Sequence, residues 1–255
     1  MENAFGQPQN VVILGGSSDI ARAITKKLCA ARAHTVILAG RNQTLLDEAA
    51  REALDYGASK TDTVIFDAED VTSARGAVAS AFEKAGDHVD LVIMAVGLLG
   101  HQVHDQSDVA AATRMMSINL TWPVAALTEA RNRLVAQGSG RILVMSSVGA
   151  VRVRSSAYLY GGAKAGLDRL CQGLADSLDG TGVSLQLVRP GAVRTRMTEG
   201  LAEVPFTTGV NEVAATVIKG LSSADAVIWS PPILKYVYLI LRHLPRPIWR
   251  KVMDR

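Results

Sequence analysis

The chain has few cysteines, few aromatic residues and no long uninterrupted apolar run. Of its 255 residues, 5% are aromatic and two are cysteine. Cys29 and Cys171 lie within apolar helical patterns without metal-ligand spacing, so we interpret both as core thiols and expect neither a disulfide framework nor a metal site. The apolar run at 89–99 is interrupted by Asp90 and Gly97 and is shorter than the roughly 18 residues that a membrane-spanning helix needs. The sequence therefore predicts no transmembrane segment.

The N-terminal sequence argues against a signal peptide, and the charge distribution argues against a nucleic-acid-binding protein. No basic stretch precedes the first apolar run, which ends in glycine, so we expect no signal peptide and synthesis in the cytosol. The net charge is +3, but residues 233–255 carry six basic side chains and one acid, a net +5, which leaves −2 for residues 1–232. This balance, without an aromatic stacking pattern beside the arginines, argues against nucleic-acid binding.

Short β-branched runs alternate with longer amphipathic segments. The predicted strands are 11–14, 35–39, 63–66, 91–96, 141–145, 184–188 and 226–229. The predicted helices are 19–32, 43–56, 71–85, 106–136 as two helices, 156–179 and 211–221. Continuous apolar strands separated by helices are typical of a parallel sheet covered on both faces. We predict an α/β fold, a single doubly wound, Rossmann-type, seven-stranded parallel sheet in residues 1–232, followed by a basic amphipathic C-terminal extension at 233–255.

A glycine-rich turn joins the first predicted strand to the first helix. Glycine lets the backbone approach a phosphate, and the helix N-terminus offers unpaired amides and a positive dipole end to a pyrophosphate. Asp19 and Ala21 stand where dinucleotide-binding turns usually carry glycine. We predict a nucleotide site, with a plain strand-to-helix turn as the alternative. The predicted cofactor contacts in the turn are Gly15, Ser17, Ser18, Asp19 and Ile20.

Three positions at other strand ends are candidates for the adenosine side. Arg41 follows the second strand, where an arginine can meet the 2′-phosphate of NADP and an acid would bind the free 2′-hydroxyl of NAD. Arg41 therefore favours NADPH, although a solvated loop arginine ahead of a helix cap at Asn42 explains it equally well. Asp67 is suited to accept a hydrogen bond from the adenine amine. Gly97 allows the backbone to pass close to the ribose.

Four residues form a candidate catalytic set. Tyr160 and Lys164 lie four apart in a predicted helix and project from one face, Ser147 ends the fifth strand, and Asn119 lies in the preceding helical region. A nearby ammonium favours the phenolate of a tyrosine, whose ordinary pKa is about 10. A serine hydroxyl can hold a carbonyl oxygen beside the phenol, so the set predicts proton transfer in carbonyl reduction, with hydride from a nicotinamide. Surface packing and a helix cap are the alternative explanations.

With these elements the chain resembles the classical short-chain dehydrogenases/reductases over nearly its whole length. The resemblance is carried by the glycine turn, Asn119, Ser147, the Tyr160-Gly-Gly-Ala-Lys164 motif and the segment RPGAVRT at 189–195. It implies that Tyr160 is the acid/base and that Lys164 binds the nicotinamide ribose and lowers the Tyr160 pKa. It also implies that Ser147 orients the carbonyl and that Asn119 holds a water in the proton relay.

The same resemblance implies further cofactor contacts around the nicotinamide. They are Tyr160, Lys164, Pro190, Gly191, Val193 and Thr195. Two departures from the family pattern fall on the adenine side, namely Asp19 and Ala21 in the glycine turn and Met-Ala-Val-Gly at 94–97 in place of Asn-Asn-Ala-Gly.

A narrower resemblance is to actinobacterial reductases of decaprenylphosphoryl-2-keto-erythro-pentose, the second component of a ribose 2′-epimerase. It rests on LGGSSDIA, AVGLLG, MSSVGAVRVRSS, LYGGAKAGLD, RPGAVRTRMT and KYVYLILRHLPRPIWRK. It implies reduction of a 2-keto pentose on a polyprenyl phosphate to the arabinose form for cell-wall arabinan. It also implies a flavoprotein oxidase as partner and NADH as cofactor, against the NADPH that Arg41 favours.

Basic residues near the site suit such a substrate. Arg152 and Arg154 follow Ser147, and Arg194 and Arg196 follow the Pro-Gly turn, so four guanidinium groups are candidates for the substrate phosphate at the mouth of the site. A solvated basic rim is the alternative for each of them.

The extension at 233–255 mixes apolar residues with cations. Such a segment suits the membrane interface, although packing on the domain or a dimer contact explains it as well. We expect a peripheral membrane protein, at the cytoplasmic face or in the cell envelope, and a homo-oligomer. The competing functions are a reductase of another lipid ketone, ketoacyl or steroid-like, and a non-catalytic nucleotide-sensing membrane adaptor.

Overall fold

A computed structural model describes residues 6–86 and 88–253, with the side chains of 252 and 253 left out. The strands are β1 (Asn10–Leu14), β2 (Thr35–Gly40), β3 (Lys60–Ile65), β4 (Leu91–Met94), β5 (Gly140–Met145), β6 (Val183–Pro190), β7 (Val193–Arg194), β8 (Thr208–Gly209) and β9 (Val227–Ser230). The helices are α1 (Asp19–Ala30), α2 (Gln43–Asp55), α3 (Ser73–Ala85), α4 (Gln102–Asp105), α5 (Val109–Met116), α6 (Trp122–Gln137), α7 (Tyr158–Ser177), α8 (Val210–Leu221), α9 (Leu234–Leu241) and α10 (Arg246–Met253).

Seven strands form one parallel sheet in the order β3-β2-β1-β4-β5-β6-β9. Every neighbouring pair is parallel, and the register sets Leu14 beside Met94 and Met94 beside Val144. The carboxyl ends of the central strands therefore meet at one edge, where open α/β sheets bind ligands. The predicted doubly wound sheet is confirmed.

Alternate residues of the central strands enter two apolar cores on opposite faces of the sheet. Val12 and Leu14 of β1 belong to one core, and Val11 and Ile13 belong to the other. The two cysteines are free and buried, as the sequence predicted, with Cys171 in the first core and Cys29 in the second.

The helical region around Asn119 differs most from the predicted pattern. The two helices expected in 106–136 are α5 and α6, joined by a π-helical turn over Ser117–Thr121. The Asp108 carboxylate caps α5 by accepting hydrogen bonds from the amides of Ala110 and Ala111. A π-turn is typical of functional positions because it re-aims one side chain within a continuous helix.

The C-terminal segment packs back on the domain through α9 and α10. Leu234, Tyr238 and Trp249 are buried, and a Cβ on Gly191 would lie 2.7 Å from Leu234 Cδ1. Within the described residues no helix combines the length and apolarity that crossing a bilayer requires.

Candidate active site

The glycine turn brings β1, β4 and the start of α1 into close contact. Gly15 has φ +93°, and a Cβ there would lie 2.6 Å from the carbonyl carbon of Ala95, so only glycine fits. The amides of Gly15 and Gly16 both donate to the Ala39 carbonyl. This geometry leaves Ser17, Ser18 and Ile20 at the N-terminus of α1, in the position predicted for a pyrophosphate.

Asp19 begins α1 and forms an ion pair with Arg196. The Arg196 amide and guanidinium each donate to the Asp19 carboxylate at 2.7 Å, and the guanidinium also donates to the Ser17 carbonyl. Burial alone would raise the pKa of Asp19, but the hydrogen bonds from Arg196 outweigh it and lower that pKa. The positive charge of Arg196 thus compensates the negative charge of Asp19, a residue at a position where dinucleotide-binding turns usually carry glycine.

The Asn119 side chain hydrogen-bonds to the chain that leaves β4. Its side-chain oxygen accepts from the Leu98 amide at 3.0 Å, and its nitrogen donates to the carbonyls of Leu98 and Met115 at 2.8 and 3.1 Å. A Cβ on Gly97 would lie 3.3 Å from Asn119 Oδ1 and 3.4 Å from Lys164 Nζ. Because glycine has no side chain, Gly97 leaves open space beside Lys164 that a ribose can occupy. The residues therefore suit the predicted nucleotide. The Asn119 amide itself is engaged with backbone.

Ser147 and Tyr160 meet at the carboxyl end of β5. Ser147 caps the short 3-10 turn at 148–150 by accepting from the Gly149 amide at 3.1 Å, and its hydroxyl lies near the Tyr160 phenol. Burial raises the pKa of Tyr160, and the Ser147 hydroxyl opposes this rise. The family resemblance implies that Lys164 lowers this pKa, but in the structure burial dominates and Ser147 is the group that opposes it.

Lys164 is buried and pairs with backbone rather than with a carboxylate. Its ammonium donates to the carbonyls of Met145 at 3.1 Å and Val96 at 3.4 Å. Burial penalises the charged form and lowers the pKa of Lys164 to about 8. The side chain therefore lies between the ends of β4 and β5, on the α7 face that carries Tyr160.

Asp168 is a positioning residue that the sequence analysis missed. Its carboxylate accepts two hydrogen bonds from Arg189, at 2.6 and 2.9 Å, and one from Ser146 at 2.6 Å. Burial would raise the pKa of Asp168, but the hydrogen bonds from Arg189 and Ser146 lower it. The signal was present in the sequence, because Asp168 follows Lys164 by four residues on an otherwise apolar face.

The four arginines predicted for the substrate phosphate do not come together. Arg194 forms an exposed ion pair with Glu203, and Arg196 is held at the glycine turn by Asp19. These ion pairs hold Arg194 and Arg196 away from the other two arginines. The prediction that all four arginines contact one substrate phosphate is therefore wrong for Arg194 and Arg196. Arg152 and Arg154 line a surface cavity with residues of α10 instead.

The remaining cofactor candidates lie along the same edge of the sheet. Arg41 is exposed after β2, with Asn42 capping α2 through the Leu45 amide. The Asp67 carboxylate accepts from the Glu69 amide at 3.0 Å. The other candidates are Pro190, the last residue of β6, and three residues that follow it, Gly191, Val193 and Thr195. Val193 lies in β7, which pairs with β8.

The fold and the site define an NAD(P)-dependent oxidoreductase, and comparisons with known proteins agree. The family model for short chain dehydrogenases matches residues 9–204. Uncharacterized oxidoreductases of Mycobacterium tuberculosis and Streptomyces coelicolor are each 38% identical, over 95% of this chain and 96% of the first relative, and over 99% of this chain and 99% of the second. A Burkholderia cenocepacia short chain dehydrogenase solved with NADP has a TM-score of 0.79 at 19% identity, over 95% of this chain and 96% of that one. The chain belongs to the short-chain dehydrogenase family.

The buried ammonium predicts a stability effect with a defined pH window. The folded pKa of Lys164, about 8, lies below its ordinary 10.5, so burial destabilises the fold fully below pH 8 and the effect vanishes as the pH rises toward 10.5. Lys164→Met should raise the free energy of unfolding of the cofactor-free protein at pH 7 by about 3 kcal/mol, with a gain that shrinks above pH 8. Urea unfolding across this range measures it, with exposed Lys219→Met as control. A less stable Met variant at pH 7 contradicts the prediction.

Arg41 generates a prediction about cofactor choice. Its side chain has no hydrogen bond or ion pair within the described part of the chain, so it is available to a 2′-phosphate. Arg41→Ala should weaken NADPH binding about tenfold and leave NADH binding unchanged, because only NADPH loses a charged partner. Titration calorimetry with both nucleotides measures this, and Arg51→Ala on the neighbouring α2 is the control. Equal effects on both nucleotides would show that Arg41 does not contact the phosphate.

Proposed function

We propose that the protein reduces the 2-keto group of a polyprenylphosphoryl pentose, giving the arabinose form used in cell-wall arabinan, with NADH as the physiological cofactor. The observation that carries carbonyl reduction is the Tyr160 phenol near the Ser147 hydroxyl, on the helix that places Lys164 at the ligand-binding edge of the sheet. The narrower part of the proposal rests on the sequence resemblance and on the arginines beside the site. A flavoprotein oxidase that makes the 2-keto sugar is the proposed partner.

The site residues divide the chemistry between binding and proton transfer. A bound nicotinamide supplies the hydride. The Ser147 hydroxyl can donate a hydrogen bond to the substrate carbonyl oxygen, which draws that oxygen toward the phenol. Tyr160 then donates its proton to the same oxygen as negative charge develops on it. Lys164, held by the carbonyls of Met145 and Val96, supplies positive charge on the same face of α7.

Tyr160 is protonated at neutral pH, which is the form that a proton donor needs. A proton donor must hold its proton before the reaction, and burial raises the Tyr160 pKa so that the neutral phenol predominates at neutral pH. Alcohol oxidation would instead need the phenolate as base. The neutral phenol is therefore the form that can donate a proton in the proposed ketone reduction.

The membrane role proposed for the C-terminal segment concerns the exposed side of α9. Four large apolar side chains there are between 48% and 66% exposed, and we name them the α9 apolar face: Ile233, Tyr236, Leu239 and Ile240. Their spacing aligns them along one side of the helix. The neighbouring cations Lys235 and Arg242 would each contribute about 1 kcal/mol near an anionic lipid surface. A lipid-linked substrate resides at that surface, which supports a peripheral membrane location.

Two other functions compete with this proposal. A reductase of another lipid ketone would use the same Ser147 and Tyr160, and a panel of ketones separates it from the proposed one. A nucleotide-sensing membrane adaptor would bind cofactor without turnover. The complete set of Ser147, Tyr160 and Lys164 supports an enzyme over the adaptor.

The reaction is tested by nicotinamide oxidation with a polyprenylphosphoryl 2-keto pentose. Tyr160→Phe should bind NADH normally yet lose turnover by roughly a hundredfold to ten-thousandfold, because only the proton donor is removed. Tyr56→Phe, at the distant end of α2, is the matched control. Wild-type turnover in Tyr160→Phe would remove this residue from the mechanism, and a wild-type enzyme inactive on the keto pentose but active on a ketoacyl or steroid ketone would favour the other reductase.

Membrane binding is tested without disturbing the packed side of α9. Replacing Tyr236, Leu239 and Ile240 together by serine should lower co-sedimentation with anionic vesicles about tenfold or more, because exposed apolar surface that enters the interface is lost. Val103→Ser with Val109→Ser removes exposed apolar side chains elsewhere and should have no effect. Unchanged vesicle binding would exclude the face as an anchor, and a change of oligomeric state instead would assign it to a homo-oligomer contact.

A further inference from the structure

A cavity of about 310 Å³ opens beside the start of α7 and is lined mainly by arginine and aromatic side chains. We name it the arginine cavity, and its lining residues are Arg152, Val153, Arg154, Ser155, Tyr158, Arg246, Trp249 and Arg250. Two arginines come from the segment after Ser147, and two come from α10, more than ninety positions later in the sequence. The tertiary structure alone brings these four guanidinium groups together.

Among the described residues, no wall of the arginine cavity supplies a negative charge that would balance its arginines. None of the lining residues that the structure describes is an acid. Four like charges around one small volume repel each other, and a bound anion relieves that repulsion. Guanidinium groups present planar, paired donors that match the oxygens of a phosphate. The electrostatics therefore select a phosphate-bearing ligand.

Arg152 is held in place by the C-terminal segment. Its guanidinium donates to the Leu241 carbonyl at 2.7 Å and lies over the Trp249 ring, 4.4 Å from the centroid. Trp249 is buried. Packing thus fixes the Arg152 wall of the cavity, while Arg246 and Arg250 line it with exposed side chains.

The arginine cavity adjoins the catalytic residues. Val153 lines it, and a Cβ on Gly161 would lie 3.1 Å from Val153 Cγ1, so the cavity wall contacts the residue next to Tyr160. Tyr158, another lining residue, begins α7 two positions before Tyr160. The cavity therefore lies at the start of the helix that carries Tyr160.

We propose that the arginine cavity binds the phosphate of the substrate, with Arg246 and Arg250 of α10 as specificity-determining residues beside Arg152 and Arg154. This inference rests on the proposed function, since it names the part of the substrate that the site recognises. Arginines from the last helix hold the phosphate, and the ketone on the same molecule reaches Tyr160. The C-terminal segment is then part of the active site.

The test uses full-length protein and farnesyl phosphate, a soluble polyprenyl phosphate without a ketone. Titration calorimetry should show that farnesyl phosphate binds roughly tenfold or more tightly than farnesol, which lacks the phosphate. Arg246→Gln with Arg250→Gln should abolish most of that difference, because two charge-assisted contacts are lost. Arg51→Gln with Lys219→Gln makes the same charge change away from the cavity and should leave binding unchanged. Circular dichroism confirms that each variant is folded.

A kinetic arm separates this inference from the proposed function. On a polyprenylphosphoryl 2-keto pentose, the Arg246 and Arg250 double variant should raise KM about tenfold or more at unchanged kcat, because the proton donor is intact. Arginine-dependent binding of farnesyl phosphate without turnover of the keto pentose would refute the proposed substrate but keep the phosphate site. Turnover of the keto pentose with unchanged KM in the double variant would overturn the phosphate site alone.

Vesicles of phosphatidylglycerol distinguish a lipid headgroup from the substrate phosphate. If the double variant loses vesicle binding but binds soluble farnesyl phosphate as wild type does, the cavity is a headgroup site and the proposal is wrong. Equal binding of farnesol and farnesyl phosphate by the wild type would likewise overturn it. Loss of farnesyl phosphate binding with retained vesicle binding is the result expected.

Discussion

The carboxylate of Asp168 accepts hydrogen bonds from two strand ends, and this contact determines where helix α7 lies on the sheet. Ser146 donates from the residue after β5, and Arg189 donates twice from β6. Tyr160 and Lys164 lie two turns and one turn before Asp168 on the same helix face. Removing one partner of a buried ion pair typically costs about 3 to 5 kcal/mol, because the other charge stays buried alone. The alignment of Tyr160 with Ser147 therefore depends on a contact that takes no part in proton transfer.

The partly buried Tyr160 and the buried Lys164 on that face have pKa values shifted in opposite directions by the same cause. Burial raises the pKa of Tyr160 and lowers that of Lys164 to about 8, because a low dielectric favours the neutral form of each. The neutral phenol is the proton donor that ketone reduction requires. The Lys164 ammonium is stabilised by carbonyls of the sheet edge, with no carboxylate to neutralise it. The positive charge of Lys164 is therefore available to a ligand.

The C-terminal segment packs against the chain that follows β5 and the chain that follows β6. Its buried side chains, Leu234 and Trp249 among them, pack on the Pro-Gly turn and under Arg152. Its exposed apolar side chains face away from the domain, so one short segment has a packed side and a free side. This arrangement places the proposed lipid contact and the proposed phosphate site on consecutive helices. The composition of the chain changes at residue 232, but the contacts of Leu234 and Trp249 join residues on either side of that boundary.

The sequence alone determined the sheet, the glycine turn and the four catalytic candidates, because periodicity and motif spacing are local properties of a chain. It did not predict the π-turn at Asn119, which depends on how that side chain satisfies the backbone of Leu98 and Met115. Nor did it predict which arginines share a cavity. Arg194 and Arg196 are held elsewhere by Glu203 and Asp19, whereas α10 supplies Arg246 and Arg250. Ion pairing and cavity formation join residues far apart in sequence, so only the tertiary structure decided them.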